Sequence, residues 1–304
     1  MSNFGYRYQY SFRHFVGNRE NRSRQRADSE VKNTVHQLEL GLQYGWDKQT
    51  TVSMSIPYVM AERSQNDSSF PGERRQTSAR GFGDFSIIAR RWLLDVDTHP
   101  DTNLELGLGV KFPTGQDNVQ DSFKSKDSSG KTVTDTRTVD QSIQPGDGGW
   151  GLWLTIQGFT RIGDFVPYAA GSYLFTPEQK NGVYTSRSKA GEEIMSIADQ
   201  YVARAGTMYP VEWIDGLSAG FGLRIEGIPV RDILGQDEGF RRPGYAISWE
   251  PSLVYGKGKD TFSFNLPIAW LRNRSRSVAD QTVGGHGDAA FADYVVLLGW
   301  SHHL

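Results

Sequence analysis

Apolar and polar residues alternate one by one along this chain, in runs that hold for about ten residues. In NLELGLGVKFPTG, Leu104, Leu106, Leu108, Val110 and Phe112 oppose Glu105, Gly107, Gly109, Lys111 and Pro113. In VHQLELGLQYGW, Leu38, Leu40, Leu42, Tyr44 and Trp46 oppose Gln37, Glu39, Gly41, Gln43 and Gly45. LSAGFGLRIEG and TFSFNLPIAW repeat the pattern through Phe221, Leu223 and Ile225, and through Phe262, Phe264 and Leu266. A period of two is a strand with one dry and one wet face. Soluble strands typically run to about five or six residues, whereas a tilted membrane strand needs about ten. The stretch GFGDFSIIARRW sharpens the point: Phe85, Ile87 and Ala89 share one side, and Asp84, Ser86 and Arg90 the other, with Ile88 breaking the polar set. Lipid outside and water inside would cover both faces.

Mean hydropathy is -0.52, and no run of apolar residues is long enough for a membrane-spanning helix. A membrane barrel survives that test, because its strands carry only half their side chains toward lipid. A net charge of -2 argues against general nucleic-acid binding. The absence of cysteine excludes disulfides and thiolate metal sites and fits an oxidising compartment. The opening MSNFGYRYQY has no apolar h-region, so a secretory signal is expected to have been removed.

Connections alternate short and long. Short ones fall at 46–49, 94–102, 163–164, 212–216 and 256–260, and long ones at 17–33, 66–78, 116–149, 178–200, 231–243 and 274–291. Between them lie twelve strands: 4–16, 34–46, 50–65, 79–94, 103–115, 150–162, 165–177, 201–211, 217–230, 245–256, 261–273 and 292–304. The reading is all-β, an antiparallel transmembrane β-barrel forming one domain over 1–304, in the bacterial outer membrane. Short turns and both termini are periplasmic, and the long loops are extracellular. Closure removes strand edges, as lipid requires. A soluble sandwich is the alternative, but its strands are shorter and its two ends alike. Trp46, Trp213 and Trp300 at one end, with Tyr58, Tyr245 and Trp249 toward the other, read as aromatic girdles. Arg91 and Arg272 fall on the outward register near strand ends, where they can snorkel. Leu106→Arg is expected to harm folding far more than Gly107→Ser, since Leu106 reads as lipid-facing and Gly107 as wet.

VSMSIPYV (52–59), GFGDFSIIAR (81–90), KFPTG (111–115), PGDGGWGLWL (145–154) and GEEIMS (191–196) occur in the order seen in the meta-pathway of phenol degradation family, which the chain resembles over about 50–270. The resemblance implies an outer-membrane barrel whose genes accompany aromatic or hydrocarbon metabolism, with transport as its role. It carries no catalytic residues over. The last strand departs from the usual aromatic ending, with Leu304 last and His302 at a position where an aromatic is common.

Registers set strand by strand send Arg7, Arg13, Glu39, Asp84, Arg90, Glu105, Lys111, Arg161, Arg204, Arg224, Glu226 and Glu250 into the lumen, seven cations and five anions. Twelve strands make a barrel roughly 24 Å across, leaving about 10 Å once side chains fill inward. At that width the charges are expected to pair across the lumen, as a structural plug or as a narrow, slightly anion-favouring pathway. The polar 116–149 loop either folds inward as a constriction or stands in solvent, and its aspartates match no EF-hand. EEIMSIADQ is either a short capping helix, with Ile194, Ile197 and Ala198 on one face, or the entry to the eighth strand. Loop arginines (Arg19, Arg22, Arg24, Arg26, Arg74, Arg75, Arg241, Arg242, Arg274, Arg276) suit phosphate, so lipopolysaccharide or an anionic solute is an expected partner.

The function that follows is an outer-membrane channel for passive passage of small solutes, aromatic or hydrophobic ones among them, without cofactor or metal. A scaffold barrel joined to surface proteins is the alternative. A hydrolase is the weaker rival, because none of His14, His36, His99, His286, His302 and His303 lies in a recognisable catalytic motif.

Overall fold

The computed structural model describes residues 1–67 and 69–304. Its wall is a closed antiparallel barrel of 12 strands. In chain order these are β1 (Ser2–Val16), β2 (Lys32–Gly45), β3 (Thr50–Asn66), β4 (Arg74–Phe82 and Ser86–Trp92), β5 (Thr102–Lys111), β6 (Gly151–Thr160), β7 (Val166–Phe175), β8 (Gln200–Pro210), β9 (Leu217–Ile228), β10 (Gly244–Lys257), β11 (Asp260–Asn265 and Ile268–Arg274) and β12 (Ala289–His302). Each pairs with the next. β12 closes on β1, from Ser2 opposite His302 to Phe15 opposite Ala289. All twelve expected strands are present, with two of them broken.

The inward–outward alternation holds on the strand bodies. Leu104, Leu106 and Leu108 are exposed on the outer face, while Asn103, Glu105 and Lys111 are buried on the inner one. Phe221, Trp249 and Trp270 stack on the outside, with ring centroids 5.6 and 5.9 Å apart. Arg91 faces outward at the short-turn end, 3.3 Å from Asp47. Arg272 does not face outward. A register shift between Ile247 and Ser248 lets β11 slip by one residue, placing Arg272 opposite Ala246 on the inner face. There it is buried and donates to Asp293 at 2.6 Å and to the Ala292 carbonyl at 3.0 Å. A one-residue slip moves every later side chain to the other face.

Gly107 is not an open lumen position either. A Cβ there would meet Thr155 Oγ1, Arg90 Cγ at 2.8 Å and the Ala89 carbonyl at 3.2 Å. Gly107→Ser is therefore expected to cost about 1–3 kcal/mol by overpacking. Leu106→Arg is expected to cost about 2–4 kcal/mol by placing a cation in lipid. Urea titration of both variants folded in vesicles checks this, and a Gly107→Ser midpoint equal to wild type would show that the wall yields there.

Long connections gather at one end and form a packed cap. The base of the β5–β6 connection folds inward, where Val139 and Ile143 are each 1% exposed and join Val59, Ala61 and Ala79 in one cluster, flanked by Val35 and Val119. Its middle, Gln120–Lys126 paired with Thr132–Thr138, projects as a hairpin. Both expected fates of the loop are thus realised by different parts of it. Residues 192–200 form no helix: Ile194–Ser196 is a short strand paired with Lys180–Tyr184. Met195 and Ile197 are buried in the cap. Two branched isoleucines favour an extended segment, and Lys180–Tyr184 supplies the partner edge.

Candidate functional site: the charged lumen and its cap

The lumen charges form a connected series. Arg7 on β1 reaches Glu226 on β9 at 3.0 Å. β10, β11 and β12 lie between those strands around the wall, so this contact crosses the lumen. Glu226 also holds Arg224 at 2.8 Å. Arg224 lies 3.8 Å from Glu250, and Arg204 on β8 lies 3.5 Å from the same carboxylate. Alternation on β9 places Arg224 and Glu226 on one face, and the direct pairing of Arg204 with Arg224 brings β8 into line. Two cations side by side need a carboxylate between them, and Glu250 on the next strand supplies it.

On the opposite wall Arg90, Glu105 and Glu39 make no ion pair among the described residues. Arg90 donates to Ser53 Oγ, and Glu105 accepts from Gln157 Nε2 at 2.6 Å. Glu39 lies on the inner face and remains accessible from the lumen. In the mid-lumen, pairing across the described residues is therefore found on the β8–β10 side and at Arg7.

Four of the twelve candidates lie away from this path. Arg161 sits on the short-turn rim, exposed and 2.9 Å from Asp101, because β6 ends one residue before it. Arg13 lies at the cap end of β1, held by Glu20 at 2.7 Å and Asp293 at 2.8 Å. Asp84 and Lys111 are buried in a junction where three glycine-containing segments meet. β4 breaks at 83–85, and Asp84 turns its carboxylate inward to accept from Gly115 N at 2.9 Å and Asp147 N at 3.1 Å. Lys111 Nζ lies 3.3 Å from Asp84 and also contacts Asp147. Only glycine fits at the contacts: a Cβ on Gly115 would lie 2.6 Å from Gly83 C, and one on Gly146 2.9 Å from Gly115 Cα. The segments GFGD, PTG and PGDGG are one structural unit, which ties the inward-folding loop to the wall. Asp147 was missed as a partner, although the repeated Gly-Asp pair was its signal.

The interior holds three cavities in series. One of about 550 Å³ near the cap is lined by Arg7, Gln9, Gln37, Trp153, Arg224 and Glu226. A second of about 210 Å³ shares Ser172, Val202 and Arg224 with it and adds Arg90 and Glu105. A third of about 270 Å³, toward the short-turn end, shares Gln157, Ala170 and Arg204 with the second. An arginine marks each junction, Arg224 at the first and Arg204 at the second.

The cap is held by charge. Asp140 takes Arg242 at 2.9 and 2.7 Å and Arg63 at 3.4 Å. Burial alone would raise the Asp140 carboxyl, but the two guanidiniums hold it well below the usual range. Asp232 takes Arg241 at 2.6 Å with both side chains buried, and Asp288 takes Arg24 at 2.5 Å. The Arg13 hydrogen bond holds Glu20 down to about 2. A depressed carboxylate stabilises the fold above its ordinary pKa and loses that contribution as pH falls. The unfolding temperature is therefore expected to drop between pH 4.5 and about 2, and Glu20→Gln is expected to flatten part of that drop. An equally steep fall in the variant would detach the effect from Glu20.

Histidine nitrogens in contact distance meet Tyr6, Val31, Asp288, Gly17, Arg274, Thr98 and Asp260, with no serine hydroxyl among these partners in the described residues. Among the described residues no cluster of histidine and carboxylate side chains is arranged to hold a metal ion.

A closed barrel with an apolar outer band, a charged interior and long connections at one end is an outer-membrane β-barrel. Solved structures share this fold at low identity. An outer membrane channel from Pseudomonas putida F1 is 14% identical, with a TM-score of 0.60 over 98% of this chain and 93% of that one. The translocator domain of the autotransporter NalP from Neisseria meningitidis is 12% identical, with a TM-score of 0.50 over 100% of this chain and 88% of that one. No family model and no curated protein matches the chain.

Proposed function

We propose that this barrel is a bacterial outer-membrane channel that passes small solutes, aromatic or hydrophobic ones among them, passively along a narrow charged lumen. The observation that carries the reading is the series of three cavities, each sharing lining residues with the next. The similar Pseudomonas putida barrel, itself an outer membrane channel, supports it. The chain's motifs also resemble those of the meta-pathway of phenol degradation family, which supports the same reading. Lipid and lipopolysaccharide surround the outer face. The lumen bridge from Arg7 to Glu226 crosses this passage, and the inward-folded loop restricts access from outside.

Single-channel recording in planar bilayers tests this, with the full chain and with a variant lacking residues 119–143. The full chain is expected to give small steps and the variant larger ones, because the cap base no longer fills the mouth. Silence in both would overturn the channel reading and leave a structural barrel that scaffolds surface partners.

A further inference from the structure

The cap contains a cavity of about 210 Å³ whose charge is not balanced. Arg63, Arg75 and Arg187 line it, with Asp140 as the acidic lining residue. That carboxylate is already claimed by Arg242, at 2.9 and 2.7 Å, and lies 3.4 Å from Arg63. Arg187 lies 3.2 Å from Glu192, which Lys189 shares at 3.0 Å. Arg75 makes no ion pair among the described residues, and its guanidinium rests 5.1 Å from the Phe123 ring centroid. Three guanidiniums in a partly enclosed space repel one another, and the Arg63 side chain is only 9% exposed. Burial and the nearby Arg242 charge both push Arg187 down. Thr77 and Ser186 add hydroxyls to the lining, and Phe123 and Phe240 add apolar walls.

We propose that this cavity is a binding site for a small soluble oxyanion, a carboxylate or phosphate, held by Arg63, Arg75 and Arg187. Guanidinium forks match the two oxygens of such a group with paired, charge-assisted hydrogen bonds. The space equals that of roughly seven waters, enough for a small anion but not for a polymer. Its strand-borne members face inward, which favours a soluble anion over a lipid headgroup as the occupant. Arg63 pairs directly with Thr77, and both share the inner face with the buried Ala61 and Ala79. The site thus lies on the inner face of the wall and not on the face toward the membrane. It stands apart from whether the lumen conducts, because binding alone defines it.

The test uses the purified full chain in detergent, freed of lipopolysaccharide. It is titrated with sodium benzoate, sodium phosphate or lipopolysaccharide at constant ionic strength set with sodium chloride. Thermal unfolding and calorimetry are read together. At least one of the two salts is expected to raise the unfolding temperature saturably, as any ligand of the native state does. Benzoate alone would assign a carboxylate on an apolar body, and phosphate alone or both salts would assign a general oxyanion site. Arg75→Gln is expected to lower the affinity about tenfold or more, the loss of one charged hydrogen-bond donor. Without added anion, Arg75→Gln is expected to unfold no lower than wild type, because it removes one of three crowded like charges. Absence of a saturable shift with either salt, a shift undiminished in Arg75→Gln and Arg187→Gln, or binding of lipopolysaccharide alone would each overturn the proposal.

Discussion

Asp84→Ala is expected to destabilise the barrel by about 3–5 kcal/mol and to free the β5–β6 connection for proteolysis. The Asp84 carboxylate is 7% exposed and serves Lys111 and two backbone N–H groups at once. Removing it leaves Gly115 N and Asp147 N without their acceptor, and buried donors left unmade carry their full desolvation cost. Lys111 keeps Asp147, so the loss comes mainly from the backbone donors and from one side of the ion pair. Asp84→Asn retains one acceptor oxygen and is expected to lose less. Urea unfolding in vesicles, with limited proteolysis of the 116–149 segment, measures both effects. A variant that resists protease as well as wild type does would show that the glycine contacts hold the junction without the carboxylate.

Arg224→Ala is expected to cost a similar amount, about 3–5 kcal/mol, for a different reason. Glu250 is 1% exposed in its side chain, and Arg224 and Arg204 are its two cationic neighbours. Among the described residues the Glu250 Oε2 atom has no hydrogen-bond partner even with Arg224 3.8 Å away, and with Arg224 gone Arg204 at 3.5 Å is left as its one cationic neighbour. A second change, Glu250→Gln, is expected to restore most of the loss by removing the stranded charge. In bilayers, Arg224→Ala should move the reversal potential toward cations, since a fixed positive charge has left the path. A stability loss under about 1 kcal/mol would mean that lumen water screens the orphaned carboxylate.

The wall was legible in the sequence because a two-residue period leaves a direct trace. Leu104, Leu106 and Leu108 against Asn103 and Glu105 give both the strand and its faces. The breaks were less legible. At 83–85 the alternation of Phe85, Ile87 and Ala89 continues through residues that leave the ladder, because Asp84 is drawn off by Gly115 and Asp147, distant in sequence. The slip in β11 is equally silent, since Trp270 and Leu271 look like ordinary members of an apolar face and Arg272 changes side only through a partner strand. Gly107 misled for a related reason. A glycine on a wet face reads as empty space, whereas Thr155 and Arg90 from the neighbouring strands already occupy it. Among the candidate charges, parity found Arg224, Glu226, Glu250 and Arg7, but parity says nothing about depth. Arg161 shares the inward phase and still lies on the rim.

The cap pairs also impose an order in time. Arg242 and Asp140 are 102 residues apart, and Arg24 and Asp288 are 264 apart. Contacts at such separations become favourable only after the intervening chain has been gathered, since closing long loops costs entropy first. Pairing of neighbouring strands supplies that gathering, and β12 must meet β1 before Asp288 comes near Arg24. The Arg24–Asp288 pair is therefore expected to form only with or after closure of the wall, and that side of the mouth is the last part of the cap to be locked.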